Sequence, residues 1–196
     1  MALIREFFAD IDAAWKPLGA EPIELQIIGS AGLMLQVDYE RATKDGDVLE
    51  TTSVTSAVKK QLIAVAGRNT EIHDRRRIYI DVVINGLPFL PHKPLFHPVQ
   101  NLELKNFKTW ALDITDTVVS KIKRLNADDV TDIRAMATRR LIDHGRLISR
   151  FNAAVDRFSM DARAEDLPKY VANLNRVERD FLGVQPTRIE LPDWMG

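Results

Sequence analysis

Three aspartates, Asp45, Asp47 and Asp81, have the residue type and spacing that could support chemistry in this sequence. If Asp45–Leu49 is extended, Asp45 and Asp47 project from one face of the strand while Gly46 points to the other. Two carboxylates on one face repel each other unless a cation lies between them. Hard oxygen ligands of this kind suit Mg²⁺ or Mn²⁺, so the pair predicts a metal site.

Asp81 interrupts the apolar segment RIYIDVVIN. The apolar residues on either side indicate a strand that is buried on both faces, where an unpaired carboxylate would be costly. A metal shared with Asp45 and Asp47 would supply the partner. The alternative is a structural ion pair between Asp81 and one of the arginines at 75–77.

The dipeptide Gly29-Ser30 lies between the apolar run Ile23–Ile28 and the apolar-periodic segment Ala31–Val37. This order predicts a strand, a tight turn and a helix. Glycine allows the backbone to approach a ligand closely, Ser30 can cap the helix, and the free N–H groups of a helix N-terminus attract phosphate. The segment predicts an anion site, and an ordinary turn is the alternative.

The turn, the segment RATKDGD and the acid within an apolar strand, in this order, resemble the nucleotidyltransferase superfamily with a polymerase-β-like fold. The resemblance implies transfer of a nucleotide from a nucleoside triphosphate to a hydroxyl of RNA, protein or a small molecule, with Mg²⁺ or Mn²⁺. It assigns Asp45, Asp47 and Asp81 to the metal and to catalysis. Gly29 and Ser30 would hold phosphates, with Lys44 beside them.

A second segment, VVSKIKRLNADDVTDI, resembles the AbiEii-type, toxin-like branch of that superfamily. The matching positions are Lys121, Asp129 and Asp132. The resemblance implies that Lys121 reaches phosphate or supports the acids, and that the two aspartates orient it or close the nucleotide site. Membership of this branch would imply a toxin of a toxin–antitoxin pair, with an antitoxin-like partner protein.

Two departures from the family pattern keep other interpretations open. Gly46 stands where the family has an apolar residue, and Asp128 stands where it has a basic one. A catalytically silent nucleotide-binding or protein-interaction module on the same fold is one alternative. A structural domain is another, in which Asp45-Gly46 is a hairpin turn, the acids at 128–132 cap a helix, and Lys121 lies on a solvated face.

Basic and aromatic side chains add candidates for substrate binding. Arg68, the arginines at 75–77 and the pair Lys59-Lys60 could form a basic rim, although a solvated surface is the alternative. Three aromatic residues could stack on a base or serve the core: Tyr79, Phe107 and Trp110.

Composition narrows the class of protein. The 196 residues are 45% hydrophobic with a formal net charge of −1, which argues against a generally basic nucleic-acid coat. There are no cysteines, which excludes disulfides, thiolate zinc sites and cysteine nucleophiles within this sequence. Acids interrupt the apolar pattern at the N-terminus and no apolar run reaches membrane-spanning length, so we predict a cytoplasmic protein without a membrane partner.

The predicted fold class is α+β, a small mixed β-sheet nucleotidyltransferase core flanked by helices, with a helical C-terminal part. The core with its N-terminal helix is expected over residues 1–112, and the helical part that packs on it over 113–196. A hairpin is predicted between Leu102–Leu104 and Lys108–Leu112. After the last helix, the tail Pro186–Gly196 is expected to be a peripheral strand or an arm.

Overall fold

The computed structural model describes residues 3–191 of the chain. Its internal contacts divide it into two units. The first comprises the residues up to Leu87 together with Phe96–Leu112, and the second comprises Pro88–Leu95 together with the residues from Asp113 onward. The proline-rich segment after β3 is therefore shared between the two units.

The first unit is built on a five-stranded mixed sheet with the strand order β3-β2-β1-β5-β4. Parallel pairs join β1 to β5 and β2 to β3, whereas β1 and β2, and β4 and β5, are antiparallel. The strands are β1 (Ile23–Ile27), β2 (Asp45–Leu49), β3 (Tyr79–Val83), β4 (Phe96–Pro98) and β5 (Phe107–Leu112).

Four helices belong to this unit: α1 (Leu3–Ala14), α2 (Gly29–Gln36), α3 (Ser56–Ala66) and α4 (Glu71–Arg76). Residues of the strands alternate between the core and a more exposed face, as period-two geometry requires. In β3, Ile80 and Val82 are buried while Asp81 is exposed. The sheet thus has a packed face and a polar face, and the predicted α+β class is confirmed.

The second unit is helical, with α5 (Ile114–Ile122), α6 (Ala127–Thr138), α7 (His144–Phe158) and α8 (Leu167–Val177). A 3₁₀ turn, Ala164–Asp166, precedes α8, and a π-helical turn, Glu178–Leu182, follows it. Phe89 from the proline-rich segment lies in the centre of the core, with its ring 5.1 to 5.3 Å from three other aromatic rings, those of Phe151, Phe158 and Tyr170. Such edge-on aromatic contacts add to the hydrophobic stabilisation of the unit.

The predicted hairpin is wrong in its first strand. Leu102–Leu104 forms no strand, and the antiparallel partner of β5 is instead Phe96–Pro98. The proline-rich sequence is compatible with this strand because β4 lies at the edge of the sheet, where the missing N–H of Pro98 need not break the ladder.

The C-terminal tail after the last helix is described only in part. Positions 186–191 carry no regular secondary structure, and the rest of the predicted strand or arm, 192–196, lies outside the described residues.

Within positions 3–191, no helix combines the length and the apolar character needed to cross a bilayer.

Candidate functional site

The first unit brings the three candidate acids to one face of its sheet. In the parallel pair of β2 and β3, Asp47 is the direct partner of Asp81, and Asp45 is the partner of Tyr79. Directly paired residues of neighbouring strands project to the same side at a strand spacing of about 4.8 Å. Asp45 joins them because it lies two residues from Asp47 along β2.

The surroundings of Asp81 differ from the prediction. The strand β3 is buried on one face only, so Asp81 is exposed and avoids the desolvation expected of a doubly buried strand. Arg75 and Arg76 do not serve as its partners, because both pair with Asp10 of α1, at 3.0 and 2.6 Å. Burial raises the pKa of Asp10, but the hydrogen bonds and charges of Arg76 and Arg75 together outweigh it, and the net shift is downward.

Gly46 faces the packed side of the sheet, opposite the acids. A Cβ atom at this position would lie 2.9 Å from Cε1 of Phe7 and 3.7 Å from Cζ of Phe8. The glycine is therefore explained by close packing against α1. The hairpin interpretation of Asp45-Gly46 is wrong, because the segment Asp45–Leu49 is a strand paired with both β1 and β3.

The glycine-serine turn directly adjoins Asp47. Gly29 has a φ of +65°, and a Cβ there would lie 2.7 Å from Oδ2 of Asp47. The backbone N–H of Ile28 also donates to the carbonyl oxygen of Asp47 at 2.9 Å. Only glycine combines this left-handed conformation with so close an approach to a carboxylate. The turn and the acidic strand thus form one local structure.

Ser30 does not cap α2, contrary to expectation. The helix begins at Gly29 with Ile28 as its N-cap residue, which supplies no side-chain cap, and Ser30 lies inside the first turn. Its hydroxyl oxygen accepts a hydrogen bond from Nη2 of Arg41 at 2.6 Å. Ser30 is buried, so the arginine contact fixes its side chain beside the turn.

The loop before β2 completes the local structure. The Thr43 hydroxyl lies 3.2 Å from the carbonyl oxygen of Asp45 and 3.4 Å from Oδ1 of the same residue. The Lys44 carbonyl accepts from the N–H of Tyr79 at 3.0 Å, while the lysine is exposed. Sequence reasoning missed Arg41 and Thr43 as site residues. The signal for them was their place in the segment RATKDGD, immediately before the first acid.

Tyr79 lies on the polar face beside the acids. Its hydroxyl accepts a hydrogen bond from Nη2 of Arg68, whose guanidinium carbon lies 4.1 Å from the ring centroid. Burial raises the pKa of the Tyr79 hydroxyl, and the charge of Asp45 raises it further, with smaller effects of Asp81 and Asp47 against the opposing charge of Arg68. The negative field of all three acids thus reaches this point of the surface, and such a field attracts cations.

The other aromatic candidates divide between core and surface. Phe107 is buried with its ring 4.9 Å from that of Trp15, so it serves the core. Trp110 is partly exposed, and its register partner on β1 is Gln26.

The donor set of the acidic face fits a hard divalent cation, since it consists of carboxylate oxygens beside a glycine that leaves room for a close approach. In the part of the chain from residue 3 to residue 191, no three acid, histidine or cysteine side chains are already grouped as around a metal ion. The backbone register places the carboxylates on one face, and their convergence on a cation would require side-chain rotation.

Lys121, Asp129 and Asp132 lie in the second unit, where they contact one another. Nζ of Lys121 is 2.7 Å from Oδ2 of Asp132 and 3.2 Å from Oδ1 of Asp129. All three side chains are buried, so the interpretation of Lys121 as part of a solvated helix face is wrong. Asp129 also accepts from Nε of Arg124 at 2.9 Å and completes a capping box with Asn126 at the start of α6.

The ionisation of Asp129 follows from these contacts. Burial raises its pKa, but the hydrogen bonds and charges of Arg124 and Lys121 together outweigh that effect, so the net pKa lies below the ordinary 3.8. The carboxylate is therefore held in its charged form.

The predicted site residues thus fall into two sets. The first unit holds six of them together around the start of β2 and α2: Gly29, Ser30, Lys44, Asp45, Asp47 and Asp81. The second unit holds the other three in a buried ion-pair cluster: Lys121, Asp129 and Asp132.

Comparison with known proteins gives one finding. Residues 6–181 match the model of a family described as "Nucleotidyltransferase of unknown function (DUF6036)". No curated protein and no solved structure matches the chain.

Proposed function

The chain belongs to this family of nucleotidyltransferases of unknown function, and from that premise we propose that its acidic face carries out metal-dependent nucleotidyl transfer. The donor would be a nucleoside triphosphate, and the acceptor a hydroxyl of RNA, protein or a small molecule. A nucleotide substrate follows from the family, whereas the metal, the acceptor and the residue roles belong to the proposal.

The observation that carries the proposal is the register of β2 and β3 together with the turn at Gly29. Asp47 pairs with Asp81, Asp45 lies on the same face, and Gly29 leaves space directly beside Oδ2 of Asp47. Three like charges on one sheet face are unfavourable without a cation, which supports a role in binding one or two Mg²⁺ or Mn²⁺ ions.

In the proposed reaction, the acceptor oxygen forms a bond to the α-phosphorus of the nucleoside triphosphate as the bond to the bridging oxygen breaks. Pyrophosphate leaves with that bridging oxygen, and the hydroxyl proton passes to a base. Asp81 is the candidate base because it is the most exposed of the three acids and lies directly across from Asp47. Asp45 and Asp47 would hold the cations on the donor side.

A bound divalent cation would neutralise the charge that develops on the transferring phosphoryl group and on the leaving pyrophosphate. Gly29 and Ser30 would bind the terminal phosphates at the start of α2, with the hydroxyl of Ser30 held in place by Arg41. The exposed side chain of Lys44 adds a positive charge at the same end of the sheet.

We further propose that the protein falls in the AbiEii-type, toxin-like branch, with an antitoxin-like partner. The support is the resemblance of the segment around Lys121 and the contacts among Lys121, Asp129 and Asp132 within the second unit. Their burial favours a role in holding the helices α5 and α6 in place over direct contact with phosphate.

The decisive experiment incubates the protein with each nucleoside triphosphate labelled at the α-phosphate, with Mg²⁺ or Mn²⁺, and with total RNA or candidate proteins as acceptors. Asp45→Asn, Asp47→Asn and Asp81→Asn should each lower kcat/KM by about a hundredfold or more, because each removes a charge of the reacting centre. Asp74→Asn, at an exposed acid of α4 in the same unit, is the matched control and should transfer normally.

Two results would refute the proposal. Transfer by the three variants at the wild-type rate would separate activity from the acidic face. Binding of triphosphates by the wild type, seen as a metal-dependent rise in Tm without transfer to any acceptor, would favour the catalytically silent module.

A further inference from the structure

Two cavities of the first unit lie at opposite ends of its sheet. The smaller, about 290 Å³, is lined by residues that immediately precede β2 and by Ile78, which immediately precedes β3. Because β2 and β3 are parallel, this is the end at which Asp45 begins β2. The larger, about 410 Å³, is lined by Trp15, Ala57 and residues next to the start of β1.

The smaller cavity has the chemistry of a site for a flat heteroaromatic ring. Its walls are aliphatic, and they come from α1, from α2 and from the residue before β3: Leu3, Ile4, Met34 and Ile78. Its lining also includes two charged residues, Glu40 and Arg41. Apolar walls with a few polar groups are typical of small-ligand pockets, and a thioether makes favourable contacts with aromatic rings.

Two residues of the cavity lining, Arg41 and Thr43, are bonded to the glycine-serine turn and to the start of β2. Arg41 donates from Nη2 to the hydroxyl of Ser30 at 2.6 Å and from Nη1 to the carbonyl of Ala42 at 2.6 Å. Thr43 lies within hydrogen-bond distance of Asp45, at 3.2 Å from its carbonyl oxygen. One ligand could therefore occupy the cavity with one end while the other end reaches the glycine-serine turn.

We propose that this cavity binds the base of the donor nucleoside triphosphate, with Glu40 and Arg41 at the polar edge of the base. The inference rests on the proposed nucleotidyl transfer and deepens it by assigning the nucleoside end of the substrate. The larger cavity has no corresponding link to the glycine-serine turn. Its lining lies at the start of β1, whereas the turn follows the end of β1.

The experiment compares Mg²⁺-ATP, GTP, CTP and UTP with Mg²⁺-tripolyphosphate, which lacks both base and ribose, by isothermal titration calorimetry. Ala42→Trp fills the smaller cavity from an exposed loop position, and Ala57→Trp fills the larger one from an exposed helix position. We expect the wild type to bind at least one nucleotide about tenfold more tightly than tripolyphosphate, and Ala42→Trp to lose that difference.

Tripolyphosphate affinity should be unchanged in Ala42→Trp, and Ala57→Trp should behave as the wild type. Leu3→Trp, which approaches the same cavity from an exposed position of α1, provides a second filler if Ala42→Trp does not fold. The proposal is overturned if either correctly folded filler of the smaller cavity keeps the nucleotide preference, or if Ala57→Trp abolishes it.

The failure of this inference is distinguishable from the failure of the proposed function. If a filled cavity leaves the nucleotide preference intact while Asp47→Asn abolishes binding of both ligands, the acidic face stands and the base lies elsewhere. If the wild type binds neither tripolyphosphate nor any nucleotide, both proposals are refuted. A preference that survives in the fillers and depends on an RNA acceptor would assign the base contact to the acceptor.

Discussion

The two units treat their charged residues in opposite ways. On the sheet of the first unit, Asp45, Asp47 and Asp81 lie on one face, with Asp81 exposed and the other two half-buried. In the second unit, Lys121 and Asp132 are buried within 2.7 Å of each other. One region gathers like charges near solvent, and the other neutralises opposite charges inside the protein.

Under the proposed function, the acidic face serves ligand binding, whereas the buried ion-pair cluster serves the stability of the second unit. A buried ion pair has already compensated the desolvation of its charges, and loss of one partner leaves the other without that compensation. Like charges at a solvated surface contribute repulsion to the folded state, which a bound cation would relieve. We therefore expect substitutions in the second unit to change stability and those on the acidic face to change activity.

The largest effect on stability is expected from Asp132→Ala. Lys121 would lose the shorter of its two aspartate contacts while remaining buried, and Asp129 is also engaged by Arg124. The free energy of unfolding should fall by about 3–5 kcal/mol, as for other broken buried pairs. Urea denaturation followed by circular dichroism would measure the change.

The matched control for this variant is Asp128→Ala, which removes an exposed acid of the same helix. Its cost should not exceed about 1 kcal/mol, the range of helix-dipole effects. A similar small cost for Asp132→Ala would contradict the structural role of the buried cluster.

An intermediate effect on the free energy of unfolding is expected when the pH is lowered, because Asp129 then takes up a proton. Its native pKa lies below the ordinary 3.8, so the unfolded state takes up the proton first as the pH falls. The stability from this group is present above about pH 3.8 and is lost as pH falls through the native pKa, with a slope of at most about 1.4 kcal/mol per pH unit.

Arg124→Gln sharpens this prediction because it removes the hydrogen bond that most lowers the pKa of Asp129. The acid-dependent loss of stability should become smaller, although the exposure of Arg124, at 69%, limits the difference through solvent screening. Urea unfolding at several pH values below about 5 would measure both slopes. Equal slopes in wild type and variant would show that Arg124 does not control the ionisation of Asp129.

The smallest effect on stability is expected from Asp81→Asn. The side chain is exposed and loses only a charge that repels its neighbours Asp45 and Asp47. The free energy of unfolding should change by about 0.5 kcal/mol or less, or rise slightly. Thermal and urea unfolding would measure it beside Asp132→Ala, and a loss of about 2 kcal/mol would assign Asp81 to a structural ion pair.

Local sequence patterns predicted the elements that carry the site. Alternation placed Asp45 and Asp47 on one face of β2, and the glycine-serine step between two apolar segments predicted the strand, turn and helix at Gly29. These features depend on residues close in sequence, so the sequence alone can indicate them.

Errors arose where the answer depended on a distant partner. Asp81 was predicted to lie in a strand buried on both faces because its neighbours are apolar, but its side chain is exposed. The departure at Gly46 left a catalytically silent module as an alternative, and the structural reason for the glycine is the close contact with Phe7 of α1. The strand paired with β5 was misplaced because proline at an edge strand leaves no clear pattern.

The α+β class, the acidic strand and the glycine turn can be predicted from the sequence alone, since they follow from periodicity and from the conformational range of single residues. Which charges meet depends on how distant segments pack. The tertiary structure paired Asp47 with Asp81 across two strands, and it buried Lys121 between Asp129 and Asp132. Strand register and burial arise from packing between distant segments, and no local pattern encodes them.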